Sequence, residues 1–80
     1  MDHNRVKLKF LDNLKRDEPT VLRAVMSAAP ISIRDIYFGT GCAFIVLNDP
    51  GQLNLLTNDN AIGKLKEHNM KPIIANNLTC

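Results

Sequence analysis

Almost every residue type that carries dedicated chemistry is scarce in this chain. Among 80 residues there is no tryptophan, one tyrosine and three phenylalanines, so stacking surfaces are few and each aromatic position counts. The two histidines, His3 and His68, have no sequence neighbour that would complete a nucleophile dyad. Together with Cys42 and Cys80 they supply metal-ligand types, but no pair has the spacing of a zinc site. No catalytic residue, metal or cofactor is therefore expected. Two cysteines do not make the disulfide framework of a small secreted domain, and unpaired thiols are the expectation. The most apolar run, residues 42–47, is six residues long, far below the roughly 20 a membrane-crossing helix needs, so no membrane partner is expected. Residues 1–5 are polar where a secretory signal would be apolar, which makes an intracellular home the expectation. A net charge of only +2 announces no long-range basic field, so any nucleic-acid site must be local and weak.

What is present reads as an ordinary globular domain: 45% hydrophobic and 22% charged residues in one unit spanning 1–80. From Val6 to Phe10 apolar residues and lysines alternate strictly, which predicts a half-buried strand with Lys7 and Lys9 outward. A polar loop follows. Asp17 or Thr20 can cap a helix in which Pro19 suits the first turn, and Val21, Leu22, Val25, Met26 and Ala29 recur at helical spacing until Pro30 ends it. Alternation resumes at Ile31 and continues through Ile36-Tyr37-Phe38, with Arg34 and Asp35 breaking the phase, so a bulge is expected there. Gly39 and Gly41 offer the positive φ of a short hairpin loop, and Cys42–Leu47 is the central strand.

Asp49 and Pro50 then open a second helical region carrying Leu53, Leu55, Leu56, Ile62 and Leu65 toward the core. Thr57-Asn58-Asp59-Asn60 interrupts it, predicting two short helices or one badly kinked helix. Asn69 suits a left-handed stop, and Pro72 places the last strand, Ile73-Ile74-Ala75, at a sheet edge. The order strand, helix, strand, strand, helix, strand predicts an α+β, ferredoxin-like βαββαβ fold, a four-stranded antiparallel sheet with two helices on one face.

With that order in view, Thr40-Gly41-Cys42-Ala43-Phe44-Ile45-Val46-Leu47 resembles the aromatic octamer of RNA recognition motifs. Lys9-Phe10-Leu11-Asp12-Asn13-Leu14 is similar to the companion hexamer. The resemblance implies a non-enzymatic binding module that holds RNA on its sheet. Cys42 stands where the family has its first octamer aromatic, and Thr40 where it has a basic residue. The hexamer also implies that Phe10 lies on the open face, which would turn Lys9 into the core. Burying an unpaired ammonium is prohibitively costly, so the alternation is preferred and Phe10 is expected inside. Residues 61–70 resemble a pattern in the related domains of retroelement Gag-type proteins. Asn48-Asp49-Pro50-Gly51-Gln52-Leu53 is similar to a loop of ACT small-molecule regulatory domains, where it follows the first strand rather than the third.

The candidate site is accordingly the sheet face away from the helices. Phe44 is the stacking candidate, Lys7 and Lys9 are its phosphate-contacting rim, Cys42 lies beside it, and Tyr37 and Arg34 extend the surface. Single-stranded RNA or DNA, bound weakly, is the partner this implies. The same face carries Phe44, Val46 and Cys42 as a contiguous apolar patch, which supports the competing reading of a protein interface or homodimer.

Overall fold

The computed structural model describes residues 4–12 and 14–74. Its elements run β1 (Arg5–Phe10), α1 (Glu18–Ala28), β2 (Ile33–Gly39), β3 (Cys42–Leu47), a 3₁₀ turn (Pro50–Gln52), α2 (Leu53–Thr57), α3 (Asp59–Lys66) and β4 (Met70–Ile74). The strands form one antiparallel sheet in the order β2-β3-β1-β4. The fold is the expected α+β ferredoxin-like one, with its second helix in two pieces. Ala75, the third residue of the predicted last strand, lies outside the described residues, as do His3 and Cys80.

Alternation in β1 sends Val6, Leu8 and Phe10 into the core, where they meet Ala43, Ile45 and Leu47 of β3. Phe10 is buried, so the periodicity was the better guide and the hexamer match does not place that ring on the open face. At roughly 1.5–3 kcal/mol for each large aliphatic or aromatic side chain removed from water, this layer dominates the favourable side of folding. Helix α1 starts at Asp17, whose side chain accepts the Thr20 backbone N–H at 3.0 Å. The Thr20 hydroxyl and that amide together hold the Asp17 carboxyl below its ordinary pKa. The buried stripe of α1 is Val21, Ala24, Val25 and Ala28, rotated from the predicted one, while Met26 is exposed. Alanines carry little hydrophobic signal in a sequence, yet their size lets a helix lie close to its neighbours.

In the second helical region Asp49 accepts from Gly51 N–H at 2.9 Å and Pro50 opens the turn, as expected. Leu56, Ala61 and Leu65 are buried, but Leu55 is exposed and Ile62 only half-buried, a correction to the predicted core set. Asn58 sits at the break and serves both helices. Its Oδ1 accepts the Ala61 N–H at 2.8 Å, while its Nδ2 donates to the carbonyls of Asn54 and Leu55 at 3.0 and 3.2 Å. One side chain thus satisfies the start of α3 and the end of α2.

Asn69 has φ 58° and turns α3 into β4, and Pro72 lies on an edge strand, both as predicted. The jump in β2–β3 register between Ile33 and Asp35 makes Arg34 the extra residue of the expected bulge. In the hairpin only Gly41 has positive φ, 77°. Gly39 does not. It pairs with Cys42 as the last residue of β2, so the loop proper is Thr40-Gly41 and one left-handed position suffices.

Replacing Asn58 with Ala should cost about 1–2 kcal/mol, because orphan groups at two helix ends lose their partner. Urea unfolding should show a lower midpoint at unchanged slope.

Candidate nucleic-acid interface

The parity of two hydrogen bonds settles which residues of the sheet share a face. Phe10 N–H donates to the Gly41 carbonyl at 2.9 Å and Leu47 N–H to the Asn4 carbonyl at 2.8 Å. Positions 41, 43, 45 and 47 therefore bond toward β1, and Cys42, Phe44 and Val46 toward β2. The side chains of these last three face away from the helices. On that face the register sets Lys71, Lys9, Cys42 and Gly39 in one row, Ile73, Lys7, Phe44 and Tyr37 in the next, and Arg5, Val46 and Asp35 in a third. All the predicted sheet residues except Arg34 are thus brought together, and Arg34 is exposed on the bulge at the edge.

Burial changes their roles. Phe44 is 4% exposed, Cys42 0% and Val46 9%, so all three are withdrawn from solvent within the single chain. Phe44 does not present a bare ring for stacking, and the predicted apolar interface of Phe44, Val46 and Cys42 is not an exposed patch. All three sit on β3, an inner strand between β1 and β2, where neighbours on both sides crowd a side chain more than at a sheet edge. Cys42 is also disulfide-bonded, against the expectation of a free thiol. Two cysteines without framework spacing give no proximity signal, and the chain's other cysteine, Cys80, lies outside the described residues.

The side chains this face offers to solvent include Tyr37, 51% exposed, the Asp35 carboxylate beside it, and Lys9 and Lys71 directly opposite one another in the β1–β4 pairing. Lys7 is half-buried between Ile73 and Phe44. Beside the β2 edge, Arg5, Tyr37, Phe38, Gly39 and Phe44 line an open pocket of about 390 Å³. A hydrogen bond to the Asp35 carboxylate, reinforced by its negative charge, raises the Tyr37 phenol above its ordinary pKa. The phenol is therefore a neutral donor throughout the physiological range.

A second concavity, about 330 Å³, opens at the end of the sheet between the loop after β1 and the β2–β3 hairpin, lined by Phe10, Leu14 and Phe38 with Lys15 and Arg16. Arg16 was missed as anything more than a loop polar residue. Its guanidinium lies 4.7 Å from the Phe10 ring centroid and donates to Asp12, to the Leu14 carbonyl and, at 3.1 Å, to the His68 carbonyl. The bond to Arg16 is the main reason the Asp12 carboxyl titrates below its usual range. No local sequence signal joins positions 16 and 68; only the packed Phe10 could have suggested a cation above it.

Among the described residues no group of three or more His, Cys, Asp or Glu side chains converges as a metal site, and no helix is long and apolar enough to cross a membrane. No family model matches the chain, and no curated protein matches it. Among solved structures the chain is similar to the Nab3-RRM, described in connection with recognition of cis elements in non-polyadenylated RNAs. That likeness has a TM-score of 0.63 at 11% sequence identity and covers 95% of this chain and 99% of the other. At that identity the likeness is one of fold: this chain has the fold of an RNA recognition motif.

The single tyrosine and the absence of tryptophan make the Tyr37 pKa directly readable from phenolate absorbance. Because Asp35 raises it, Asp35→Asn should move the midpoint down toward the ordinary value. The raised pKa also means that whatever this contact contributes to stability is present below the unfolded tyrosine's pKa and lost as pH rises through the folded one.

Proposed function

We propose that this domain is a non-enzymatic module that binds single-stranded RNA or DNA weakly on the sheet face away from its helices. The observation that carries the reading is the placement of an exposed aromatic, Tyr37, across the sheet from the cationic pair Lys9 and Lys71, on the fold of an RNA-recognition domain. Tyr37 takes the stacking role that the octamer resemblance would give Phe44. Phe44 instead forms part of the floor of the pocket beside it. Stacking on one ring is worth roughly 1–3 kcal/mol, and each lysine adds a salt-sensitive phosphate contact. Two lysines and one ring make a low-affinity site, in keeping with a net charge of +2. Arg34 on the bulge and half-buried Lys7 extend the positive rim.

The alternative of a homodimer or protein interface through the apolar sheet face has lost its exposed surface. No separate observation favours an ACT-like regulatory role, and the loop similar to that family's is here the turn that leads from β3 into α2. The Gag-type resemblance rests on residues 61–70, which form α3 and the turn into β4, and the proposal does not use it.

A titration of isotope-labelled protein with a short mixed single-stranded RNA, at low and then higher salt, tests this. Amide shifts should cluster on residues 7, 9, 37 and 71 and fade with salt. Lys9→Glu should weaken binding at least tenfold and flatten the salt dependence, while Tyr37→Ala should weaken it on the order of tenfold or more with the salt dependence kept. A spectrum that does not move at low salt overturns the proposal.

A further inference from the structure

The outer edge of β2 leaves a short stretch of backbone open to another strand. Since Cys42, Phe44 and Val46 bond toward β2, their partners Gly39, Tyr37 and Asp35 bond inward, and the intervening Ile36 and Phe38 turn their N–H and C=O groups outward. The Ile36 N–H is already taken by the Asp35 carboxylate at 2.8 Å. This leaves both backbone groups of Phe38 facing out from an edge strand, at the point where the two concavities meet. Phe38 and Gly39 line both of them. An added antiparallel strand alternates its side chains between the faces of the sheet. The residue opposite Phe38 would project into the helix-side concavity with Phe10 and Leu14, and its neighbours into the open-face pocket with Arg5 and Tyr37.

The chemistry of the two hollows differs. The helix-side one is apolar, with exposed Leu14 and Phe38 and buried Phe10. Cations flank the edge: Arg34 on the bulge and Lys15 at the hairpin end, while Arg16 beside it is already bonded to Asp12. The acids nearby, Asp35 and Asp12, are engaged by Ile36 with Tyr37 and by Arg16. We propose that β2 binds, by strand addition, an extended peptide in which apolar and acidic residues alternate, the apolar residue opposite Phe38 and an acidic one toward Arg34. Main-chain bonds to Phe38 give affinity and the paired hollows give selectivity. The two readings share Tyr37 and Arg34 but differ in what they require, the backbone of β2 here and Lys9 with Lys71 there.

The test uses the whole labelled chain and the synthetic peptide acetyl-Glu-Leu-Glu-Leu-Glu-amide. Amide shifts should centre on residues 36–39 and reach residues 5 and 14. Methylating the leucine nitrogens, whose N–H groups face β2 in this register, should abolish binding, whereas methylating the interior glutamate nitrogen, whose N–H faces solvent, should leave it within about twofold. Replacing the glutamates with lysine should weaken binding at least tenfold. Phe38→Ala, at a position exposed enough to leave the fold intact, should lose most of the shift. Equal binding by both methylated forms, shifts confined to the helices, or no response to the peptide while single-stranded RNA moves residues 36–39 would each overturn the proposal.

Discussion

The desolvation cost of an ammonium group orients β1, and β1 orients the sheet. A slip of one residue would exchange Lys7 and Lys9 for Val6, Leu8 and Phe10 on the helix side, placing two charges in a layer with no partner for them. With that excluded, Phe10 and Leu8 must face the helices. The antiparallel register then sends Ala43, Ile45 and Leu47 the same way and Cys42, Phe44 and Val46 the other. Even the bulge at Arg34 obeys this constraint, since it resets β2 so that Ile36 returns to the core side and Tyr37 to the open side.

Position across the sheet, not residue type, separates the two aromatics of the middle row. Phe44 and Tyr37 are cross-strand neighbours, yet Phe44 belongs to an inner strand and is covered, while Tyr37 stands on the edge strand and is half open to water. A phenol tolerates that position because its hydroxyl keeps a partner in Asp35. The lysines follow this only in part. Lys71, on edge strand β4, is exposed, whereas of the two β1 lysines Lys7, beside Phe44, is half-buried and Lys9, opposite Lys71, is exposed.

Much of this was readable beforehand where a local rule acts alone. Strict alternation found β1 and its orientation, Asp17 with Pro19 found the start of α1, and the polar run around Asn58 found the break between α2 and α3. The candidate face was readable too, since alternation in β1 and β3 names its members. Which members are exposed was not, because exposure depends on the neighbours that the folded sheet brings beside each side chain, and strand alternation has no knowledge of that. The stripe of α1 was misjudged by favouring Leu22 and Met26 over small alanines that pack closely. Arg16 was unreadable because its partners Phe10 and His68 come together only through the tertiary fold.

The carboxylate of Asp35, described above as the partner of Tyr37 and of the Ile36 amide, also limits how the molecule fails. Open sheet edges invite copies to stack without end, and proteins blunt them with charges and bulges. Here the bulge at Arg34 interrupts one end of β2, Asp35 occupies the first outward amide, and the hairpin closes the other end after Gly39. The usable edge is short: the Phe38 amide and the carbonyls of Ile36 and Phe38. A ladder that short can be occupied and vacated reversibly, but it does not offer the continuous run of backbone bonds from which a fibril grows.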